Sequence, residues 1–344
     1  TYNYLLTNKQ CKVMKFSEII GIDVSKETLD VKIHTEGLMS QFENTESGYT
    51  NLIKWVLAIT KLGKSDLLFA FEHTGLYSLP LSVYLSNNGY SFFMIPGLEL
   101  RRSMGIKRGK DDKIDAQAIA LYAFRRKEEI EPYQMPSESI QELRRLLSLR
   151  ERLVKQRAGY EASKKEYVRM MKSKNLVYVD IHEDMIQELN KQIQRIEKEL
   201  DDLIRNDEQM KAMYDLITSI KGVGPQTAMF VIAVTNAFSL FKDWRKFASY
   251  AGIAPFPYRS GSSIRGKTKV SHLANKKIKT LLSSCASSAI QCNQEMKIYY
   301  ERRINEGKNK MATLNIIRNK LLSRIFAVIE RGTPYVNTFK YATC

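Results

Sequence analysis

The chain has 344 residues, of which 44% are hydrophobic, so it can form two or three domains with buried cores and is not a disordered tail. Lysine and arginine number 54 against 37 acidic residues, giving a formal net charge of +17. That surplus favours a polyanionic partner, and nucleic acid is the first candidate. No apolar run reaches 18 residues and no signal peptide pattern is present, so we expect no membrane partner and a cytoplasmic, nucleoid-associated protein.

Residues 17–130 alternate between strand and helix patterns. EIIGIDVS, LDVKIHT and SQFENT predict three successive strands, and therefore an antiparallel meander. The next segments predict, in order, a helix, a strand, a helix, a strand and a helix: GYTNLIKWVLAITKL, DLLFAFEH, LYSLPLSVYLSNNG, YSFFMIP and IDAQAIALYAFRR. The predicted fold of this segment is an α/β domain with the order βββαβαβα.

Residues 137–215 are charged and helical. Apolar residues follow one another at steps of 3, 4, 3, 4 and 3, the pattern of a coiled-coil seam: Ile186, Leu189, Ile193, Ile196, Leu200 and Leu203. The preceding segment, from Ile140 to Met171, predicts a second long helix, with NLVYVDIHED as the turn between them. The two helices pair either within one chain or between two chains of a homo-oligomer, and the pattern does not distinguish these arrangements.

Residues 216–335 predict a third domain that is basic and mainly helical. No acidic residue occurs between Trp244 and Gln294, which favours a phosphate-contacting surface over an ordinary solvated face. LITSIKGVGPQTA predicts a helix, a hairpin and a helix that begins at Pro225. This hairpin either offers backbone N–H groups to a DNA phosphate or is a tight turn that needs glycine; its candidate binding residues are Lys221, Gly222 and Gly224.

The segment GKDDKIDAQAIA places three aspartates within five positions of this basic chain. On a helix that begins near Lys110, Asp112 and Asp115 are three residues apart and project from one face. Asp111 and Asp112 could instead be ordinary acids of a helix N-terminus. The preceding bases are candidate DNA contacts: Arg101, Arg102, Lys107, Arg108 and Lys110.

Two further acids favour a functional role for the pair. Asp23 lies within the apolar strand IIGIDVS and Glu72 ends the apolar strand LLFAFE, where burial of an unpaired carboxylate is costly. In a βββαβαβα sheet these acids and the pair on the last helix converge at the edge of the strands. Four carboxylates there suit Mg²⁺, and two such ions catalyse phosphodiester chemistry.

The motifs GIDVSKETLDV, FEHTG, KDDKIDAQAIA, LITSIKGVGPQTA and YAGIAPFPYRSGSSIRGKTKVS resemble those of the Asp-Glu-Asp-Asp transposases of bacterial insertion sequences, relatives of the Piv DNA invertases. The resemblance covers residues 17 to about 300. It implies a RuvC-like domain of the ribonuclease H fold, with the tetrad at Asp23, Glu72, Asp112 and Asp115. It also implies a helical coiled-coil segment, a C-terminal transposase domain with a helix-hairpin-helix-like motif, and a noncoding bridge RNA that guides the enzyme to donor and target DNA.

In that family the C-terminal domain carries a nucleophilic serine, and the resemblance assigns this role to Ser260 in YRSGSS, with Ser262 and Ser263 as alternatives. A loop position is expected for Ser260. Neighbouring cations would stabilise the developing negative charge: Arg259, Arg265, Lys267 and Lys269. The resemblance further implies a dimer or tetramer in which the serine of one protomer meets the tetrad of another.

The leading hypothesis is therefore a Mg²⁺-dependent DNA recombinase that forms a phosphoserine intermediate. Three alternatives are a metal-only nuclease of the Holliday-junction type, a noncatalytic nucleic-acid-binding protein, and a protein-only invertase similar to Piv. A Ser260→Ala variant that still cuts DNA at full rate would favour the nuclease, and an Asp23→Asn variant with intact activity would favour the noncatalytic protein. Ribonuclease treatment separates the protein-only invertase from the RNA-guided enzyme.

Overall fold

The computed structural model describes residues 16–103, 112–171, 176–260, 264–270 and 274–337, with the backbone alone at 112–114, 176, 257–260, 264–265 and 267–269. The chain divides between Met135 and Pro136 into two compact units, each with its own hydrophobic core. Among the helices in these ranges, none is long and apolar enough to cross a membrane.

The first unit is a five-stranded sheet with helices on both faces. Its elements are β1 Glu18–Val24, β2 Thr28–Ile33, β3 Met39–Glu43, α1 Glu46–Thr60, β4 Leu67–Glu72, α2 Leu79–Asn87, β5 Ser91–Ile95, α3 Gly97–Ser103 and α4 Asp112–Arg125. The sheet order is β3-β2-β1-β4-β5, antiparallel from β3 to β1 and parallel from β1 to β5. The predicted meander and element order are confirmed. The short helix α3 was not predicted, because seven residues are too few to show helical periodicity.

The two faces of this sheet bury different sets of residues. Leu29, Val31 and Ile33 of β2 belong to the larger core, which includes buried residues of α1 and α2. Ile19 of β1 belongs to a second cluster that includes Ile119 and other buried residues of α4. Because alternate strand residues face opposite sides, Gly21, Asp23 and Asp30 lie on the α4 side.

The second unit is mainly helical. Its elements are α5 Glu138–Met171, α6 Leu176–Asn206, α7 Glu208–Thr218, α8 Pro225–Thr235, α9 Trp244–Tyr250, β6 Pro255–Ser260, β7 Ile264–Val270, α10 Lys276–Cys292, α11 Gln294–Asn305 and α12 Lys310–Arg331. The two strands form an antiparallel ribbon that was not predicted. Their sequence mixes glycine, proline and lysine with only a few alternating apolar residues, so it gives a weak strand pattern.

Helices α5 and α6 pair with each other antiparallel within one chain. The Arg150 guanidinium donates to Glu197 Oε1 at 2.6 Å, and Lys164 Nζ donates to Glu183 Oε1 at 2.8 Å. The two ends of α5 thus meet opposite ends of α6. The predicted seam is buried along most of its length, with Leu200 fully buried. The sequence left open whether the two helices pair within one chain or between two chains, and in the structure they pair within the chain.

The predicted turn NLVYVDIHED is wrong, because residues from Leu176 onward already belong to α6. Its β-branched and aromatic residues have low helix propensity, but tertiary packing overrides that preference. The Tyr178 ring stacks on Tyr167 at 4.1 Å between centroids and on His182 at 4.2 Å. These contacts hold the first turns of α6 against α5.

The base of this helical hairpin shares one core with the C-terminal helices. Buried residues of α5 and α6, including Leu143 and Leu200, belong to the same cluster as residues of α8, α10 and α12. Arg144 Nε donates to the backbone oxygen of Ala233 near the end of α8, at 2.8 Å. Residues 137–215 and 216–335 differ in composition but are joined in one compact unit.

Candidate active site

Close packing of α4 on β1 positions Asp23. A Cβ atom at Gly21 would lie 2.5 Å from both the backbone oxygen of Ala116 and the backbone nitrogen of Ala120, so only glycine admits this approach. Ile19, two residues earlier, lies in the cluster that contains Ile119 of α4. Asp23, two residues later on the same face, is therefore directed towards the first turns of α4.

Glu72 ends the neighbouring strand on the same face. The parallel register of β1 and β4 pairs Ile22 with Phe71. Asp23 and Glu72 are the residues that follow this pair, so they lie side by side on adjacent strands. A Cβ atom at Gly97 would lie 2.1 Å from Glu72 Oε1. The carboxylate therefore lies directly against the backbone at the start of α3, and glycine at position 97 makes room for it.

Asp30 is a third carboxylate on this face, and the sequence analysis missed it. It lies directly opposite Asp23 in the β1–β2 pair, where Cβ atoms are about 4.5–5.5 Å apart. Asp30 is only 8% exposed, and Gln41 Nε2 donates to its two oxygens at 3.1 and 3.2 Å. The signal was available, because Asp30 interrupts the apolar strand LDV as Asp23 interrupts IIGIDV.

The predicted pair on the last helix lies at the N-terminus of α4. The helix begins at Asp112, and Asp115 is half-buried one turn later. Asp111 and the side chain of Asp112 lie outside the described residues. Among the described side chains, no group of three or more histidine, cysteine or acidic residues is close enough to hold a metal ion. Asp23, Asp30, Glu72 and the first turn of α4 are together called the acidic edge below.

A hydrogen-bond network ties α3 to α4. The Tyr122 hydroxyl donates to Glu99 Oε1 at 2.6 Å, and the Arg126 guanidinium donates to both. The hydrogen bond from Tyr122 is the main cause that lowers the pKa of Glu99, so this carboxylate is ionised and anchors the helix. Arg101 and Arg102 are exposed in the last turn of α3. The other predicted bases of this segment lie outside the described residues: Lys107, Arg108 and Lys110.

Ser260 is the last residue of β6 rather than a loop residue, which corrects the sequence prediction of its local structure. Its backbone pairs with Ile264, and Arg259 pairs with Arg265 across the ribbon. The loop was predicted because glycine and serine dominate YRSGSS, but cross-strand pairing extends the strand to Ser260. Lys267 and Lys269 lie on β7. The alternative nucleophiles, Ser262 and Ser263, lie outside the described residues.

The segment between α7 and α8 is a tight turn. Gly222 has φ +96°, and a Cβ atom there would lie 2.6 Å from Ala289 Cβ, so glycine is required. Gly224 precedes α8 with an ordinary φ of −92° and open space around its Cα, and Lys221 is exposed. The turn that needs glycine is therefore present at Gly222, and the N-terminus of α8 is accessible at Gly224.

Two family models match the chain and together cover more than half of it. Residues 20–166 match a transposase model of the IS110 type, and residues 214–301 match the transposase model of the IS116/IS110/IS902 family. The acidic edge lies in the first match and the β6–β7 ribbon in the second. The chain belongs to this family of insertion-element transposases and is a DNA-processing enzyme.

Similar proteins include two named pilin gene-inverting protein. The protein of Moraxella lacunata is 27% identical over 327 residues, which cover 92% of this chain and 97% of the relative. The protein of Moraxella bovis is 26% identical over the same shares of both chains. An uncharacterized 43.6 kDa protein of insertion element IS110 from Streptomyces coelicolor is 29% identical over 120 residues, covering 35% of this chain and 29% of the relative.

Proposed function

We propose that this transposase cuts and rejoins DNA through a phosphoserine intermediate at Ser260, with Mg²⁺ held by Asp23, Glu72, Asp112 and Asp115. The observation that carries the proposal is the acidic edge, where β-sheet register and two glycine contacts direct Asp23 and Glu72 to one side of the sheet. Such a concentration of carboxylates is costly without a cation.

The donor set fits a hard cation, because carboxylate oxygens are the ligands that Mg²⁺ prefers. Of the side chains that the structure describes, Asp23, Glu72 and Asp115 are not close enough to one another to hold an ion, and the proposed site therefore requires Asp112 as well. When bound, Mg²⁺ would lower the charge on the attacked phosphate and on the leaving oxygen. Asp30, which accepts from Gln41 and lies opposite Asp23 in the strand register, would add negative charge beside the site.

In the proposed reaction Ser260 Oγ loses its proton and attacks a DNA phosphorus atom. A bond from phosphorus to Oγ forms as the bond from phosphorus to a deoxyribose oxygen breaks, and that oxygen takes up a proton. A hydroxyl of another strand end then loses its proton and attacks the phosphoserine, and the serine oxygen leaves and takes up a proton, so no external energy source is needed. The backbones of Arg259 and Arg265 pair across the ribbon, so two basic residues share one level of it next to Ser260.

Donor and target DNA would contact the basic surfaces around both sites, including Arg101, Arg102 and Lys221. A noncoding guide RNA would supply sequence recognition by base pairing, while the protein reads the shape and backbone of the duplex. The proposed active unit is a homo-oligomer, a dimer or a tetramer, in which one protomer supplies Ser260 and another the acidic edge. The net charge of +17 supports the binding of two DNA duplexes and a guide RNA, all of which are polyanions.

The test is covalent trapping on a plasmid that carries the gene with its flanking DNA. Denaturing a stalled reaction should leave DNA attached to the peptide YRSGSSIR. Ser260→Ala should lose the adduct and still bind DNA, because all four neighbouring cations remain. Ser262→Ala and Ser263→Ala should keep it, because one hydroxyl is in line with the leaving oxygen. Full DNA cleavage without any adduct would identify a metal-only nuclease instead.

A second candidate, a site-specific invertase that needs no RNA, is favoured by similarity along almost the whole chain to proteins named for pilin gene inversion. Ribonuclease treatment of the purified complex separates the two. Loss of strand exchange, restored by the copurified RNA, supports guidance, whereas unchanged activity supports the invertase.

A further inference from the structure

A shallow pocket in the second unit lies between the start of α9 and the middle of α12. Its volume is about 370 Å³, and it is lined by Trp244, Ile316, Asn319, Lys320, Ser323 and Arg324. The size is near the lower end of the range for small-molecule sites, about 300–1,000 Å³, which suits one nucleotide. The lining combines an aromatic ring and an aliphatic side chain with two polar groups and two cations.

The two polar groups have hydrogen-bonding capacity to spare. Asn319 Nδ2 donates to the backbone oxygens of Ile253 at 3.1 Å and Asn315 at 2.9 Å, which fixes the amide and leaves Oδ1 as an acceptor. The Ser323 hydroxyl has no partner within the described part of the chain. Hydroxyls elsewhere bond back to their own helix, as Thr280 does to Lys276 at 3.0 Å. One acceptor and one hydroxyl are therefore available to the edge of a ligand.

The charges around the pocket favour an anion. Glu295 accepts two hydrogen bonds of 2.7 Å from Arg324 and offsets part of its charge, and Lys320 Nζ lies 3.9 Å from the centroid of the Tyr299 ring. Burial lowers the pKa of Lys320, because its ammonium group has lost water contacts. A phosphate bound at Lys320 would replace the water contacts that burial has removed from its ammonium group. On the other side of the pocket, the guanidinium of Arg245 lies 4.9 Å from the Trp244 centroid.

We propose that this pocket binds one unstacked nucleotide, with its base on Trp244, its base edge at Asn319 and Ser323, and its phosphate at Lys320 and Arg324. Every base has a π-face, so stacking of this kind tolerates any sequence. A base in a duplex must first be unpaired, at a cost of a few kcal/mol, so displaced or single strands bind preferentially. The pocket shares no residue with the acidic edge or with Ser260, and the proposal depends only on nucleic acid as the partner.

The first experiment uses Trp244 as its own reporter. The chain has two tryptophans, so Trp55→Phe leaves Trp244 as the sole source of indole fluorescence. Titration of the full-length Trp55→Phe protein with a single-stranded 12-mer should quench this emission saturably, and the matched duplex should quench it much less. Parallel titrations with DNA and RNA strands of one sequence identify which nucleic acid supplies the nucleotide. Unchanged emission at saturation with both strands would overturn the proposal.

The second experiment measures binding by anisotropy of a labelled 12-mer. Trp244→Ala should weaken binding of the single strand about 5- to 150-fold, the equivalent of one stacked base. Trp244→Phe should recover most of the affinity, because a phenyl ring also stacks. Lys320→Gln should weaken binding more than Lys246→Gln, which removes an exposed cation of α9 that does not line the pocket.

Equal losses for the two lysine variants, or full affinity in Trp244→Ala, would contradict the proposal. If Trp244→Ala does not fold, as judged by its melting curve, the fluorescence titration and the comparison of the two lysine variants still decide. Ser260→Ala should bind like the unmodified chain, so a failure of the proposed chemistry leaves this result intact.

Discussion

The acidic edge of the first unit and the β6–β7 ribbon of the second place their charges by different means. At the acidic edge, register and close backbone packing fix the carboxylates, and Asp30 is buried beside Asp23. Among the described residues, none of the ribbon belongs to the buried core of its unit, and Phe256 is 47% exposed. Core packing therefore fixes the acids of the first unit, whereas the described residues of the ribbon lie outside the core of the second unit.

The largest effect is expected at the acidic edge. Asp23→Asn should reduce strand exchange by about 10³-fold or more while DNA binding is retained, because the change removes charge at the reacting centre but leaves the basic surfaces intact. Single-turnover cleavage and filter binding measure the two properties. Glu27→Gln, which removes an exposed acid in the β1–β2 turn, is the matched control and should remain active. An active Asp23→Asn protein would contradict the proposed site.

A large loss of stability is expected in the hairpin. Leu200→Ala should lower the free energy of unfolding by about 2–5 kcal/mol, because the side chain is fully buried and leaves a cavity. Leu203→Ala, at a half-buried position of the same seam, should cost roughly 1 kcal/mol. Urea denaturation followed by circular dichroism gives both values. Light scattering should show no change of mass, and a smaller species would show that the seam joins protomers.

Packing under the acidic edge provides an intermediate effect. Gly21→Ala should lower stability by about 1–3 kcal/mol, because its Cβ would overlap two backbone atoms of α4 that cannot move independently. Gly159→Ala is a control for which we expect the opposite change in stability. That residue is exposed within α5 with open space around it, so alanine should stabilise the helix by about 0.5–1 kcal/mol. Thermal melting of both variants tests the pair, and an unchanged Gly21→Ala protein would refute the close approach.

The smallest effect concerns pH. Burial lowers the pKa of His34 below 6.5, opposed by Glu18 and assisted by Lys32 and Lys127. The unfolded chain therefore binds a proton at a higher pH than the folded chain. Stability should be constant above pH 6.5 and fall as the pH drops below it, by at most about 1.4 kcal/mol per pH unit.

Denaturation at pH 7.5 and 5.5 measures that slope. His34→Gln should reduce it, whereas His73→Gln should keep it because His34 is intact. An identical slope in the His34→Gln protein would show that another group is responsible.

Patterns local in sequence predicted the first unit well. The meander and its helices follow from apolar alternation and helical spacing, and Asp23 and Glu72 became candidates because one lies within an apolar strand and the other ends one. Asp30 obeys the same rule but was missed, since a single strand does not reveal which acid will lie opposite it. Register across two strands decides that question.

The second unit was harder to predict where local preference and tertiary packing disagree. VYVDI reads as a break between helices, yet aromatic stacking of Tyr178 holds it in α6. YRSGSS reads as a loop, yet cross-strand pairing makes Ser260 part of β6. In each case contacts with a neighbouring strand or helix outweigh the intrinsic propensity of a short segment.

The sequence by itself determined the local patterns of charge and hydrophobicity in this protein. These are a basic chain, isolated acids in apolar strands, a heptad seam and a C-terminal stretch without acids. Only the tertiary structure decided which residues meet. It paired the hairpin helices within the chain, placed Asp30 beside Asp23, pressed Glu72 against Gly97 and assembled the pocket at Trp244 from two helices. Such contacts depend on register and on backbone approach between distant segments, which no local pattern encodes.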